Sequence, residues 1–157
     1  MIILGIDPGI ALMGYSIIKT NTPKHLPQKI NEKLKVIDFG CISTTTFNSP
    51  QERLKIIYEE TNKLIKKHAP DLISIENLYF FKNLKTAIVV SQAKGVIMLA
   101  AAKNNVPLCE FTPLQVKMTI VGYGRAGKKQ VQAMTRQLLD LSSFDLKEKN
   151  RKKDDAS

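Results

Sequence analysis

Ile2-Ile3-Leu4-Gly5-Ile6-Asp7-Pro8-Gly9 is the stretch on which the rest of the chain turns. A continuous Ile-rich apolar run closed by Pro-Gly reads as a strand buried on both faces. Pro8 cannot donate a ladder hydrogen bond and Gly9 lets the backbone turn sharply, so Asp7 stands where the strand leaves the sheet. An acid beside an apolar core is costly to ionise unless it is paired or binds a cation. Asp before Pro-Gly is also an ordinary turn cap, and this stretch alone leaves both readings open.

Working outward, Met13 to Lys19 reads as a second strand and residues 20–34, with two prolines, as a loop. Lys35 to Ser43 alternates: Val36, Asp38, Gly40 and Ile42 face one way, Ile37, Phe39 and Cys41 the other. Three such strands make an antiparallel meander. Ser49-Pro50-Gln51-Glu52 then announces a helix, with Ser49 as N-cap, Pro50 at the first position and Glu52 closing a capping box. Leu54, Ile57, Tyr58, Thr61, Leu64, Ile65 and His68 follow the helical period until Pro70. Leu72-Ile73-Ser74-Ile75 is a fourth, buried strand, and it too ends in an acid, Glu76. An Ala-rich helix is expected from Asn83 to Asn104, and a fifth strand over Val106–Phe111. Further helices are expected over Pro113–Val121 and over Lys128–Leu141, the last with Val131, Met134, Leu138 and Leu141 on one face. The stretch from Ser142 is polar and charged.

A chain of 157 residues suits one domain with a single core. Lys and Arg number 24 against 14 Asp and Glu, a net charge of +10, which implies a polyanionic partner, nucleic acid ahead of membrane or acidic protein. Cys41 and Cys109 are too isolated for a zinc site or a disulfide framework and read as reduced, buried residues. His25 and His68 have no Cys or His neighbour at ligand spacing. With no basic leader and no apolar run near a membrane span, the expected location is the cytoplasm, with no membrane partner.

A crossover through the Ser49–His68 helix lays the fourth strand parallel to the first, placing the two terminal acids at one edge of the sheet. Two carboxylates there repel unless a divalent cation lies between them, and hard oxygen ligands are what Mg²⁺ requires. The competing reading has Asp7 capping its turn and Glu76 paired with a lysine such as Lys82.

A meander followed by alternating helix and strand, with acids ending the first and fourth strands, is the layout of the ribonuclease H-like fold. The chain closely resembles the RuvC family of bacterial Holliday-junction resolvases, the crossover junction endodeoxyribonucleases. The resemblance rests on GIDPG at 5–9, Ser74-Ile75-Glu76-Asn77 with Lys82-Asn83, and Ser91-Gln92-Ala93-Lys94-Gly95. It continues through Gln115-Val116-Lys117 and Val121-Gly122-Tyr123-Gly124-Arg125-Ala126 to Lys128-x-Gln130-Val131, in order from Met1 to about Leu139. It implies a five-stranded mixed sheet, an antiparallel meander then parallel strands, flanked by helices. It implies that Asp7 and Glu76 are the first two metal-binding acids. Asp155-Ala156-Ser157 matches the start of the family's final Asp-x-x-Asp segment, which makes Asp155 the third. The fourth acid would follow Ser157, so residues 1–157 are expected to form a single nuclease domain that lacks the C-terminal helix.

Tyr79-Phe80-Phe81 follows Glu76 after Asn77 and Leu78, and aromatics beside a phosphate-handling site suit base stacking, although such residues also fill cores. The family carries a stacking aromatic at the position of Tyr79. Gly122 to Lys128 nearly matches a Walker A loop, but Lys129 stands where a Mg²⁺-binding hydroxyl would be needed. A glycine loop opening onto a helix N-terminus with Arg125, Lys128 and Lys129 reads instead as a DNA-backbone clamp. Lys117 and Lys128 match basic residues that serve DNA binding and catalysis in the family, and Lys82 falls in a matching block. Lys94 and Lys103 read as solvated charges.

The expected function is a Mg²⁺-dependent endonuclease, with two ions per site and Mn²⁺ able to substitute. It would resolve four-way junctions by symmetric paired nicks that leave 5′ phosphates, in DNA recombination and repair. Its expected partners are junction DNA, a second copy of the chain packed through the Ala-rich helix, and a RuvAB-type branch-migration complex. Two alternatives stand beside this: a junction-binding protein whose cleavage is impaired by the missing acid, and another ribonuclease H-like nuclease acting on structured RNA.

Overall fold

Strand β1 (Ile2–Asp7) runs antiparallel to β2 (Leu12–Lys19) and parallel to β4 (Leu72–Glu76), and so lies inside the sheet. The computed structural model describes residues 1–21, 34–77 and 84–140. Its remaining elements are β3 (Leu34–Ser43), α1 (Pro50–His68), α2 (Leu84–Lys103), β5 (Leu108–Phe111), α3 (Pro113–Val121), α4 (Lys128–Leu138) and β6 (Leu139–Asp140). The sheet order is β5-β4-β1-β2-β3-β6. The five expected strands are present as an antiparallel meander joined to parallel strands. A two-residue sixth strand, β6, pairs with β3 where the sequence reads helix to Leu141. The helical pattern therefore ends at Leu138, and the backbone turns extended at Leu139 to take up the free edge of β3.

Side chains alternate across a strand, and the register makes the two faces of this sheet unlike one another. Leu4, Ile6, Met13, Ile17, Ile73 and Ile75 point to one face and are buried against Ile57, Leu64 and Ile65 of α1 and Ala93, Ile97, Ala100 and Ala101 of α2. The opposite positions are Gly5 and Asp7 on β1, Gly14 and Ser16 on β2, and Ser74 and Glu76 on β4, none of them fully buried. The expectation that β1 is buried on both faces is corrected: only its Leu4 and Ile6 side is enclosed. The alternation expected for β3 is present, with Val36 buried and Ile37, Phe39 and Cys41 exposed. Cys41 is a free, exposed cysteine, and Cys109 is half-buried, so neither is the buried residue that composition suggested.

The start of α1 follows from its first residues. The Ser49 backbone N–H donates to Glu52 Oε2 at 2.7 Å, and the Glu52 N–H donates to Ser49 Oγ at 3.3 Å. Such reciprocal capping satisfies donors that a helix cannot pair internally. The same device starts α3, where Thr112 and Gln115 form a capping box that sequence reading passed over. At the other end of α1, Lys67 Nζ and His68 Nε2 each lie 3.2 Å from Asp38 Oδ2 and tie the helix to β3. His68 thus has a structural partner. Most of the loop expected over 20–34 falls outside the described residues.

Candidate active site

The acids meet because of register. Leu4, Gly5 and Ile6 on β1 pair with Ile73, Ser74 and Ile75 on β4, which sets Asp7 beside Glu76 at the end of both strands and on the same face. The Asp7 charge is therefore felt at Glu76. Burial, followed by the Asp7 charge, holds the Glu76 carboxyl above its ordinary value of 4.5. Among the described residues, Lys117 on α3 is the base whose charge opposes this rise. The rival pairing of Glu76 with Lys82 cannot be placed, since Lys82 lies outside the described residues.

Small residues make the floor beneath the acids. Gly5, Gly14, Ser16 and Ser74 line an open cleft of about 330 Å³ with Asp7 and Glu76, and Phe111 and Val116 form its wall. A Cβ on Gly5 would come within 2.9 Å of Ser16 Oγ, so bulk there would push into the floor. Phe111 is placed by the pairing of Glu76 with it across β4 and β5, and Val116 and Lys117 by the helix that Thr112 caps directly after β5. Sequence reading named Lys117 but missed Phe111 and Val116. The strand-to-capped-helix junction at 111–113 was the signal that could have found them.

Lys94 corrects the reading that it is a solvated charge. Its side chain is 14% exposed, and Nζ donates to Glu110 Oε2 at 2.6 Å and to Asn77 Oδ1 at 3.0 Å. Asn77 follows Glu76 directly, and its N–H donates to the Phe111 carbonyl at 2.8 Å. Helix α2, strand β5 and the residue after the second acid are thus tied at one point. Lys103 stays exposed, with Nζ 5.8 Å from the centre of the Tyr58 ring.

Arg125, Lys128 and Lys129 are exposed around the start of α4, where Gln130 Oε1 accepts from the Gly127 N–H at 2.9 Å. Gly122, at φ 72°, takes the left-handed turn that closes α3. Tyr79, Phe80, Phe81 and Asp155 lie outside the described residues. Among the described residues no group of three or more His, Cys, Asp or Glu side chains is arranged to hold a metal. Asp7 and Glu76 are nevertheless a hard-oxygen pair whose mutual repulsion a divalent cation would relieve, and that donor set fits such an ion. No helix among the described residues is long and apolar enough to cross a membrane.

Comparison with known proteins agrees with this geometry. The chain matches the family described as crossover junction endodeoxyribonuclease RuvC over residues 3–156. The RuvC of Fusobacterium nucleatum is 44% identical over 144 residues, covering 92% of this chain and 71% of that protein. The RuvC of Alkaliphilus metalliredigens is 50% identical over 141 residues, covering 90% of this chain and 80% of that one. Among solved structures, Thermus thermophilus RuvC in complex with a Holliday junction substrate superposes with a TM-score of 0.79 at 26% identity, over 88% of this chain and 79% of that one. The yeast mitochondrial Holliday junction resolvase Ydc2, at 16% identity over 84% of this chain and 61% of that one, shares the fold with a TM-score of 0.60. With the family matched across nearly the whole chain and the two acids at one sheet edge, this protein belongs to the RuvC family of crossover junction endodeoxyribonucleases.

Proposed function

We propose that this chain resolves four-way DNA junctions by divalent-metal-dependent, symmetric paired nicks that leave 5′ phosphates, in DNA recombination and repair. The observation that carries the reading is the convergence of Asp7 and Glu76 over a floor of small residues, beside Lys117. Residues 1–157 act as one nuclease domain, and the cytoplasm is its place of work. Asp7 and Glu76, joined by Asp155, would hold Mg²⁺ as two ions per site, with Mn²⁺ able to substitute. When bound, such ions supply activation of the attacking water and stabilisation of the leaving 3′ oxygen.

The chain's own residues do the rest. The floor of Gly5, Gly14, Ser16 and Ser74 lets a phosphodiester approach the carboxylates without meeting bulky side chains. Lys117 adds positive charge where a phosphate would sit, which offsets charge gathering on its oxygens. Arg125, Lys128 and Lys129 hold backbone phosphates farther along the strand, Lys82 adds a further contact, and Tyr79 stacks on an unpaired base.

Two symmetric nicks require two sites, and α2 offers a face for a second copy. Ile88, Gln92, Gly95, Leu99 and Ala102 are all exposed and recur at alternating steps of four and three, the spacing of a helix-packing seam. A Cβ on Gly95 would meet nothing within 4 Å, which leaves room for close approach. A RuvAB-type branch-migration complex would deliver the junction.

The test is cleavage of a synthetic four-way junction with and without Mg²⁺. Asp7→Asn and Glu76→Gln should each lower nicking by more than about 100-fold, since losing even a supporting partner of a metal ligand costs 10–100-fold. Junction binding should survive both changes. Undiminished nicking by either variant, or a preference for structured RNA, would refute the assignment.

A further inference from the structure

Phe47 is 97% exposed, yet the turn that carries it is held at every corner. The Thr44 N–H donates to the Ala11 carbonyl at 3.0 Å, and Thr44 Oγ1 donates to the Ile10 carbonyl. Arg53 Nε donates to Thr44 Oγ1 at 2.7 Å from the first turn of α1. Thr45 Oγ1 donates to Asn48 Oδ1 at 2.9 Å, and the Asn48 N–H donates back to the Thr45 carbonyl at 3.3 Å. Ile10 and Ala11 belong to the loop that leaves Asp7, so this turn is fastened to the backbone that carries the first acid.

Topology puts this turn at the working edge of the sheet. β1 and β4 end there in Asp7 and Glu76, β2 begins there, and β3 ends there, since Leu12 pairs with Ser43. Leu12 points to the same face as Asp7, because Met13 points to the core, and it is 59% exposed. The exposed Leu12 side chain and the turn that carries Phe47 therefore stand on the β2–β3 side of the acids. A strand held at the acids has to continue along this edge in one direction or the other. The ring is open to solvent on a tethered turn, and stacking tolerates any base because every base has a π-face. The chain's +10 charge favours DNA at this edge over an acidic surface patch or an apolar protein partner.

We propose that Phe47 stacks on an exposed base of the junction on the β3 side of the acids, a deepening of the resolvase reading on which it rests. The chain contains no tryptophan, so Phe47→Trp installs a single reporter at a position where the fold has no packing to lose. The probe is a metal-free synthetic four-way junction, with a linear duplex of the same sequence as control, and binding is followed separately through a dye on the DNA. Tryptophan emission should be quenched as the junction saturates, clearly more than with saturating duplex, and Phe47→Ala should bind the junction about tenfold more weakly. Emission unchanged on a saturated junction overturns the proposal, as does equal quenching by duplex, which offers no exposed base. If the wild-type chain fails to bind the junction at all, the resolvase reading itself falls. If it binds and the tryptophan reporter stays silent, only the assignment of Phe47 falls.

Discussion

The two faces of one sheet are built from the same strands in alternate residues, and they do different work. On the helix-covered face, Leu4, Ile6, Met13, Ile17, Ile73 and Ile75 interlock with α1 and α2 and are almost wholly removed from water. On the other, Gly5, Gly14, Ser16 and Ser74 leave a cleft, and Asp7 and Glu76 stand at its rim. Large apolar groups give stability in proportion to the area they bury. Small ones give that up and leave space, and two acids held together add repulsion. Stability and chemistry are thus separated by a one-residue step along each strand.

Adjacent substitutions on β4 should break the comparison most sharply. Ile75→Ala leaves a cavity under α2 and should destabilise by about 2–5 kcal/mol, the range for truncating a buried isoleucine. Ser74→Ala, one residue earlier, should change stability by less than about 0.5 kcal/mol, as is usual for a site outside the core. Urea unfolding of the two variants measures both, and equal losses would show that the open face is as much core as the other.

Lys94 is where the faces communicate, since it rises from α2 yet reaches the residue after Glu76. Lys94→Met keeps the stem but removes the charge from Glu110 and the donor from Asn77. A charge-assisted hydrogen bond contributes about 1.5–3 kcal/mol. With the Glu110 side chain 34% exposed, solvent screening reduces the expected loss to about 1–2 kcal/mol. Lys94→Arg should recover most of it. Thermal or urea unfolding decides, and a Met variant as stable as wild type would make this tie a passive contact.

The smallest effect concerns pH. In metal-free protein the Glu76 carboxyl titrates above 4.5, so the folded state holds its proton more tightly than the unfolded chain does. Its contribution to stability is present in full below 4.5 and is lost as pH rises through the raised folded value. Asp7→Asn removes the second-largest cause of the rise and should recover part of that loss at neutral pH. Unfolding profiles of both proteins in a chelating buffer test this, and a wild-type curve that rises through the same window with no recovery in the variant would contradict it.

Much of this was legible locally. The capping box at Ser49 and Glu52, Pro50 at the helix start and the apolar period through Ile65 lie within one or two turns of each other, so sequence alone determined α1 and its buried side. The breaker after Asp7 and the alternation of β3 were readable for the same reason, and the family blocks placed Asp7, Glu76 and Lys117. Lys94 left a signal that went unused, a charge set between the small residues Ala93 and Gly95 in the middle of α2.

What sequence could not supply depended on partners far away in the chain. Apolar content told that β1 is buried but not that only one of its faces is covered, because that depends on where the helices pack. The ends of α4 and β6 were decided by a vacant edge on β3, far earlier in the chain. Phe111 reaches the acids only through the pairing of β5 with β4, and Val116 through the helix that follows β5. Local pattern determines what an element is, whereas pairing and packing between distant segments determine which side chains meet, and the candidate site is made of such meetings.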